Sequence, residues 1–272
     1  MARCAWAECG RWRPSLLARR KGHGVHMNGT WFCSGTCAGR QADSDVERAT
    51  VRERVRTRAL PRLKLGLLLV HHGAITPVQL REALVSQRQS GLRLGDELLA
   101  LGLIDDAALV KALAAQAGIA CLPSLDPSAV RYCPELGATA VRALGLVPIG
   151  VDVEGRHVKV ACTAPVPRLA LAALKELTGW TADPFLVPDS TLERLVTAYA
   201  GLSKSMDRDE LVTRDGAGCA IATAAAVRDD AVVTQVSCNP YLWVRVASAA
   251  GPHDLFIPTS EEAACQAAHT SH

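Results

Sequence analysis

The chain has 272 residues, of which 49% are hydrophobic and 4% aromatic, and its formal net charge is +3. This length allows one or two domains with cores of Leu, Val and Ala, and so small a net charge does not by itself indicate a nucleic-acid partner. Since the sequence contains neither a run of 18 apolar residues nor a signal-peptide pattern, we expect a cytoplasmic protein with no membrane insertion.

Four of the ten cysteines form two closely spaced pairs near the N-terminus: Cys4 with Cys9, and Cys33 with Cys37. In a reducing compartment such pairs indicate a metal site rather than disulfides, and four thiolates make the closed tetrahedral shell of structural zinc. His23 or His26 is an alternative ligand in place of one cysteine. The segment 31–37, WFCSGTC, resembles the second knuckle of small treble-clef-like zinc fingers. We therefore expect a zinc-finger module at residues 1–40, with zinc as a structural cofactor.

Residues 41–62 are rich in arginine, which is interleaved with acidic residues such as Glu47 and Glu53. This composition favours a solvated helical linker between two modules. The alternative is a basic patch that binds nucleic acid, through Arg52 to Arg62, or the acidic surface of a partner. Because the arginines alternate with acids and no aromatic residues accompany them, nucleic acid is not the expected partner.

A 24-residue pattern occurs twice, over residues 64–87 and 93–116, with a five-residue spacer between the copies. Tandem units of this kind bury their apolar faces against each other, and leucines at helical spacing are usually core residues. The cation that opens each copy, Lys64 or Arg93, and the glutamine that closes it are not required by core packing. They are candidates for ligand contact, with a solvated surface as the alternative.

Each copy predicts two helices joined by a turn. Gly73 and Gly102 suit the left-handed conformation that ends a first helix, and Thr76 and Asp105 suit the N-cap of the second. Gln79 follows Thr76 by three residues and completes a capping-box pattern. Two adjacent copies of one small unit also suit a ligand that is itself two-fold.

The doubled pattern RLGxxLxxxGxxxxxxLxxxLxxQ resembles the MshEN-type domain, the cyclic di-GMP-binding form of the N-terminal domain of type II secretion and type IV pilus assembly ATPases. The resemblance covers about residues 63–200. The matching positions are Lys64, Leu65, Gly66, Leu69, Leu80, Leu84 and Gln87 in the first copy, and Arg93, Leu94, Gly95, Leu98, Leu109, Leu113 and Gln116 in the second. The resemblance implies that these residues bind cyclic di-GMP and that the partner is a secretion or pilus machinery protein.

Lys64 departs from the arginine of the family pattern. An ammonium neither stacks on a purine nor forks onto a phosphate as a guanidinium does, although it still pairs with a phosphate as a point charge. In the site that the resemblance implies, leucines cover the base faces, glycines allow close backbone approach and Arg93 contacts a base or phosphate. We therefore expect the second copy to hold a nucleotide better than the first.

The sequence has no G-x-x-x-x-G-K-[ST] phosphate-binding loop. The resemblance therefore implies the accessory domain without the ATPase motor, and a protein that is not an enzyme. After the repeat, alternating segments at 146–153 and 157–162 predict a hairpin. A helix is expected at 166–177, then a strand at 180–187, then a last helix that is capped by Asp189 or Ser190 and runs to Tyr199. This small αβ subdomain is expected to support the repeat.

The expected fold class is α+β. It comprises a zinc-finger-like module at 1–40, an arginine-rich helical linker at 41–62, an MshEN-like domain at 63–200 with helical-repeat and αβ subdomains, and a linker with a small β-rich or partly disordered tail at 201–272. The expected function is that of a non-enzymatic regulatory or adaptor protein that binds cyclic di-GMP. The alternatives are a nucleotide-independent interaction module of a type II secretion or type IV pilus system, and a zinc-dependent nucleic-acid-binding protein.

Overall fold

The computed structural model describes residues 2–14, 24–27, 30–41, 44, 64–202, 209–213, 216–226, 231–249 and 251–260. Most of the predicted linker at 41–62 lies outside these residues, as does His23, one of the alternative zinc ligands. Among the helices of the described ranges, none is both long and apolar enough to cross a bilayer.

Helices and strands alternate through the described chain, which is α+β as predicted. The strands are β1 (Ala2–Arg3), β2 (Trp12–Arg13), β3 (Val25–Met27), β4 (Thr30–Phe32), β5 (Ala120–Cys121), β6 (Val147–Asp152), β7 (His157–Cys162), β8 (Thr181–Leu186), β9 (Asp209–Leu211), β10 (Val232–Ser237), β11 (Tyr241–Ala247) and β12 (His253–Pro258). Besides a short helix at 35–41, the helices are α1 (Leu65–His71), α2 (Pro77–Ser90), α3 (Leu94–Ala100), α4 (Asp106–Ala117), α5 (Ala138–Leu144), α6 (Arg168–Thr178), α7 (Asp189–Leu202) and α8 (Ala217–Ala226).

Glycines and capping residues fix the helix ends of the repeat. Gly73 and Gly102 follow α1 and α3 with φ values of +69° and +64°, the left-handed conformation that favours glycine. Thr76 Oγ1 accepts from the N–H of Gln79 at 3.2 Å, and Gln79 Oε1 accepts from the N–H of Thr76 at 2.8 Å. Asp105 Oδ1 accepts from the N–H three residues further on at 2.7 Å. The predicted caps are confirmed. They were predictable because each depends on residues within a few positions of one another.

The two copies of the repeat share one small core. Its buried members are Leu69, Ile75, Ala83, Leu98 and Ala112. Leu69 and Leu98 occupy the same position of the pattern, as do Ala83 and Ala112. Neither copy buries this face alone, so the repeat is one four-helix unit rather than two independent ones.

The αβ subdomain contains a four-stranded sheet in the order β5-β8-β7-β6. Strands β6 and β7 form the predicted antiparallel hairpin, and β8 runs parallel to β7 after the chain crosses over through α6. Helix α6 begins at Arg168 rather than at the predicted residue 166. Val166 precedes Pro167, and a residue before proline is disfavoured in the helical conformation.

A six-stranded sheet joins the two ends of the chain in the order β4-β3-β10-β11-β12-β9. Strand β3 pairs in parallel with β10, with Val232 opposite His26 and Val233 opposite Met27. From sequence, these strands are expected in separate units, residues 1–40 and 201–272. Short strands that pair across so long a stretch of chain carry no local signal of their partner.

Both faces of this sheet are buried, because successive side chains of β11 alternate between two apolar cores. Trp243 is fully buried in the same apolar core as the αβ subdomain. Leu242 and Val244, its neighbours, belong to a second core with Phe32 and with Ile221 of α8. Because successive side chains of a strand point to opposite faces, the sheet is the wall between the αβ subdomain and the N-terminal segment.

A buried arginine fastens the sheet to the αβ subdomain. Arg245 donates from Nε and Nη2 to the two carboxylate oxygens of Asp254, both at 2.8 Å, and from Nη1 to Glu135 Oε2 at 2.8 Å. Trp243 Nε1 also donates to Asp254 Oδ1 at 2.8 Å. Glu135 belongs to the segment before α5, so the network crosses between the two units. Removing one partner of a buried pair typically costs about 3–5 kcal/mol.

Candidate functional site

A cavity of about 430 Å³ lies between the second repeat copy and the αβ subdomain. Four segments form most of its wall: the start of α3, the inner face of α4, the loop that enters α6, and the junction of β8 with α7. The lining residues are Leu65, Arg93, Leu94, Gly95, Asp96, Leu99, Asp106, Leu109, Val110, Leu113, Gln116, Ala117, Ala164, Pro165, Val166, Arg168, Leu186, Val187, Pro188 and Asp189. Its volume is within the range usual for small-molecule sites.

The cavity separates the residues selected by the pattern into two groups. Those that line it are Leu65, Arg93, Leu94, Gly95, Leu109, Leu113 and Gln116. Those absent from its wall are Lys64, Gly66, Leu69, Leu80, Leu84, Gln87 and Leu98. Of the seven pattern residues that line the cavity, all but Leu65 belong to the second copy.

The pattern residues of the first copy that are absent from the wall have other surroundings. Lys64 is exposed at the N-cap of α1 without a side-chain capping bond. Leu84 is 38% exposed. Gln87 Nε2 donates to the carbonyl oxygen of Leu92 at 3.0 Å, so this amide holds the spacer between the copies. Leu69 is buried in the shared core of the repeat.

The pattern glycines are explained by helix packing within each copy. A Cβ on Gly66 would lie 2.6 Å from Leu80 Cδ1, and one on Gly95 would lie 3.0 Å from Leu109 Cδ1. Both distances are shorter than a normal carbon contact. In each copy the missing side chain therefore makes room for the leucine of the following helix, and Gly95 additionally faces the cavity.

Four charged residues of the cavity wall were not selected by the sequence analysis: Asp96, Asp106, Arg168 and Asp189. Asp96 directly follows Gly95 of the pattern, which was the one local signal available. Arg168 and Asp189 begin helices far along the chain from the repeat, and only the tertiary fold brings them to the same cavity.

Asp189, the first residue of α7, keeps part of its surface exposed, and its pKa is shifted by its surroundings. Burial raises its pKa above the ordinary value, the neighbouring carboxylates of Asp96, Asp106 and Glu193 act in the same direction, and a hydrogen bond with Thr163 partly opposes them. Two arginines and three aspartates thus face one cavity, which provides cations for anionic groups and acceptors for N–H donors.

The four predicted zinc ligands lie together. The sulfur atoms of Cys4, Cys9, Cys33 and Cys37 are all within 4.8 Å of one another. Cys33 Sγ lies 3.4 Å from Cys9 Sγ and 3.7 Å from Cys37 Sγ. Zinc bound to four thiolates at 2.3 Å places the sulfurs about 3.8 Å apart, so this sulfur-only cluster fits a tetrahedral metal ion. His26 is described and is not part of the cluster.

The electrostatics of the cluster also suit a cation. A backbone hydrogen bond at Arg11, followed by one from Cys33, lowers the pKa of Cys9 to about 7. Burial and then the neighbouring thiols raise the pKa of Cys33 to about 12. One thiol thus ionises readily while burial opposes ionisation of its neighbour, and a bound divalent cation would offset that cost.

Three further cysteines are packed in the interior. Cys133, Cys162 and Cys238 are buried, and burial raises the pKa of each thiol. Cys219, by contrast, is exposed on α8. The final cysteine, Cys265, lies outside the described residues.

Comparison with known proteins identifies one domain family. Residues 121–206 match the MshEN domain, a range that begins after both repeat copies. The type IV pilus assembly ATPase PilB of Thermus thermophilus is 28% identical over 126 residues, which are 45% of this chain and 14% of that protein. PilB of Myxococcus xanthus is 28% identical over 140 residues, which are 50% of this chain and 24% of that protein. The chain therefore spans between a seventh and a quarter of the length of these relatives.

A solved structure described as MshE with cdg is 30% identical, with a TM-score of 0.41, and covers 51% of this chain and 99% of that one. The N-terminal domain of XpsE is 18% identical, with a TM-score of 0.34, and covers 50% of this chain and 92% of that one. The family assignment falls on the segment that contains the αβ subdomain. Through residues 121–206, this chain is a member of the MshEN domain family.

Proposed function

We propose that this protein is a non-enzymatic regulatory or adaptor protein that binds cyclic di-GMP in the cavity between the second repeat copy and the αβ subdomain. The observation that carries the proposal is the composition of the cavity wall. Arg93 and Gln116, the two ends of the second copy, face the same space as Arg168 and Asp189 of the αβ subdomain. The doubled repeat pattern, with its family resemblance, supplies the class of ligand.

The charged groups of the wall match the two kinds of polar group in the ligand. Phosphates pair with guanidinium groups, which Arg93 and Arg168 provide. The Watson–Crick edge of guanine carries N–H donors, and carboxylates such as Asp96 and Asp189 accept from such donors. The apolar wall, including Leu109, provides surface for a base face.

Calorimetric titration of the full chain with cyclic di-GMP tests this assignment. Arg93→Ala is expected to weaken binding about tenfold or more, since a charge-assisted bond is worth about 1.5–3 kcal/mol. Arg81→Ala is the matched control, because Arg81 is exposed on α2 and absent from the cavity wall. Equal affinities for the two variants would remove Arg93 from the site, and no heat at high micromolar ligand would overturn nucleotide binding.

We also propose that the cysteine cluster holds one structural zinc ion. Four sulfur ligands would fill a tetrahedral shell, which leaves no position for a substrate. Metal analysis of the purified chain is expected to give about one zinc per molecule. Cys33→Ser should lose the metal, whereas Cys219→Ser, at the exposed cysteine of α8, should retain it. A wild-type protein that is folded and free of metal would contradict this role.

A nucleotide-independent interaction module is the second candidate, and one observation favours it. Exposed apolar side chains concentrate on the first copy, where Leu67, Val78 and Val85 are 59%, 52% and 57% exposed. Such side chains are typical of a surface that meets another protein. The same titration separates the two functions, because only the first requires saturable heat from cyclic di-GMP. The pilus or secretion setting of any partner is likewise part of this proposal.

A further inference from the structure

One tryptophan of the N-terminal segment is placed in solvent. The structure describes all five tryptophans: Trp31, Trp180 and Trp243 are buried and Trp6 is half-buried. Trp12, on the short β1–β2 hairpin, is 61% exposed. A single exposed apolar residue needs no explanation by itself, so its surroundings decide whether it forms a site.

One arginine shares the face of this indole, and two more lie next to it in the chain. Trp12 pairs directly with Arg3 across the antiparallel ladder, and directly opposed residues project from the same face. Arg11 and Arg13 precede and follow Trp12 and are both exposed, but successive side chains of a strand alternate, so they add positive charge on the opposite face of the hairpin. Glu8 is the only acidic residue within positions 1–40. The hairpin therefore presents a planar aromatic ring within a positively charged surface.

The charge of the chain is divided in the same way. Residues 1–62 hold 13 Lys and Arg against 5 Asp and Glu, a net charge of +8, whereas the rest of the chain holds 17 against 22, a net charge of −5. The small overall charge conceals this division. So large an imbalance between two parts of a chain indicates a polyanionic partner for the basic part.

The hairpin is held in place by the cysteine cluster. The N–H of Cys4 donates to the carbonyl oxygen of Arg11 at 2.8 Å, and the N–H of Ala5 donates to the carbonyl oxygen of Trp31 at 3.1 Å. The first bond closes the hairpin beside a metal-ligand candidate, and the second fastens it to β4. Because the backbone is fixed in this way, little ordering entropy would be lost when Trp12 meets a partner.

The type of cation distinguishes nucleic acid from a lipid surface. Twelve of the 13 basic residues in positions 1–62 are arginine, and arginine stacks on bases and forks onto phosphate where lysine acts as a point charge. Membrane binding instead requires a broad apolar face. Among the described residues up to position 44, Trp12 is the only large apolar side chain that is exposed, which is too small a surface for insertion.

We infer that the β1–β2 hairpin binds single-stranded nucleic acid, with Trp12 stacked on a base, Arg3 on the same face close to a phosphate, and Arg11 and Arg13 adding positive charge from the other face of the hairpin. Stacking on an aromatic side chain is the usual mode for unpaired bases and tolerates any sequence. The arginines of 52–62 have no aromatic residue beside them, so that segment by itself does not indicate nucleic acid. The structure places the aromatic residue on the hairpin. This inference does not depend on cyclic di-GMP binding.

Fluorescence anisotropy tests the inference with the full, metal-loaded chain and a labelled oligothymidylate of about 20 nucleotides, longer than the usual footprint of such sites. Trp12→Ala should weaken binding about tenfold, and Trp12→Phe, which keeps an aromatic face, should retain most of the affinity. Val153→Ala is the control, because Val153 is 62% exposed on the αβ subdomain. Replacing both Arg11 and Arg13 by alanine should lower the slope of log affinity against log salt by about 1.4.

Intrinsic fluorescence gives an independent measurement. Since the other four tryptophans are buried or half-buried, most of the quenching by oligothymidylate should come from Trp12 and should disappear in Trp12→Phe. Binding that is equal for wild type and Trp12→Ala would overturn the stacking site, as would absence of binding at low salt. Trp12-dependent binding to vesicles of equimolar phosphatidylcholine and phosphatidylglycerol, without binding to the oligonucleotide, would overturn it in favour of a membrane.

Discussion

The two repeat copies share a pattern but have different neighbours, and the positions that differ show which copy meets the αβ subdomain. Val85 in the first copy is 57% exposed, whereas its equivalent in the second copy, Ala114, is 3% exposed. Arg81 is exposed and its equivalent Val110 is buried. The shared positions build the common core, and the variable positions adapt one copy to solvent and the other to a packed interface.

Two matched substitutions to arginine, one in each copy, should show the largest difference between the copies. Ala114→Arg places a guanidinium in the apolar core that α4 shares with the αβ subdomain, and an unpaired buried charge costs about 3–5 kcal/mol. Val85→Arg, at the equivalent exposed position, should change the free energy of unfolding by less than about 0.5 kcal/mol. Urea denaturation measures both values.

Ala115→Arg controls for helix propensity in this experiment. Ala115 lies on the same helix but on its exposed side, so the substitution should be nearly neutral. If Ala115→Arg were as damaging as Ala114→Arg, the effect would belong to α4 as a helix. If Ala114→Arg were tolerated, the packing of the second copy against the αβ subdomain would be contradicted.

Exchanging Lys64 and Arg93, the residues that open the two copies, tests which copy contributes to cyclic di-GMP affinity. Arg93→Lys gives the second copy the residue of the first, and we expect cyclic di-GMP affinity to fall about tenfold because the forked contact is lost. Lys64→Arg restores the family pattern in the first copy. Since Lys64 is absent from the cavity wall, this substitution should leave the affinity within about twofold. A large gain from Lys64→Arg in calorimetry would show that the first copy holds a nucleotide of its own.

The pH dependence of binding tests the carboxylate side of the same cavity. In the proposed site Asp189 accepts from a guanine N–H, a bond that is stronger when the carboxylate is ionised, and burial raises the pKa of Asp189. Affinity should therefore fall as pH decreases through that raised pKa, beginning at a higher pH than an unperturbed aspartate would require. Asp189→Asn should bind more weakly at neutral pH and lose part of this dependence. Affinities measured from pH 7 to pH 5 in one buffer series decide the point.

The same raised pKa predicts an opposite effect on the ligand-free protein. A carboxyl group whose folded pKa lies above its unfolded pKa binds protons more tightly in the folded state, so stability decreases as pH rises through that interval. At neutral pH the ionised Asp189 is therefore a cost to the fold, and Asp189→Asn should raise the melting temperature without ligand. A lower melting temperature would contradict the burial effect.

The local parts of this architecture were predictable from sequence. The capping box at Thr76, the left-handed glycines and the β6–β7 hairpin depend on residues within a few positions of one another, and all were confirmed. The cysteine cluster was predictable for a different reason, because four soft ligands in two pairs have few other uses.

The parts that were missed depend on contacts between distant segments. The wall of the cavity needs Asp189 beside Arg93, and the six-stranded sheet needs β3 beside β10. Gly66 was interpreted as space for a ligand, whereas Leu80 of the next helix occupies that space. Neither residue type nor spacing distinguishes these alternatives, since a glycine that admits a side chain and one that admits a ligand look the same in sequence.

The smallest expected effect concerns the closing glutamines. Gln87 donates to the carbonyl oxygen of Leu92 at 3.0 Å, so Gln87→Ala should lower the free energy of unfolding by no more than about 1 kcal/mol and leave cyclic di-GMP affinity unchanged. Gln116, its equivalent, faces the cavity, so Gln116→Ala should lower affinity measurably. Denaturation and calorimetry on both variants separate the roles. If Gln87→Ala reduced affinity as much as Gln116→Ala, the two copies would act as matching half-sites, and the assignment of the ligand to the second copy would be wrong.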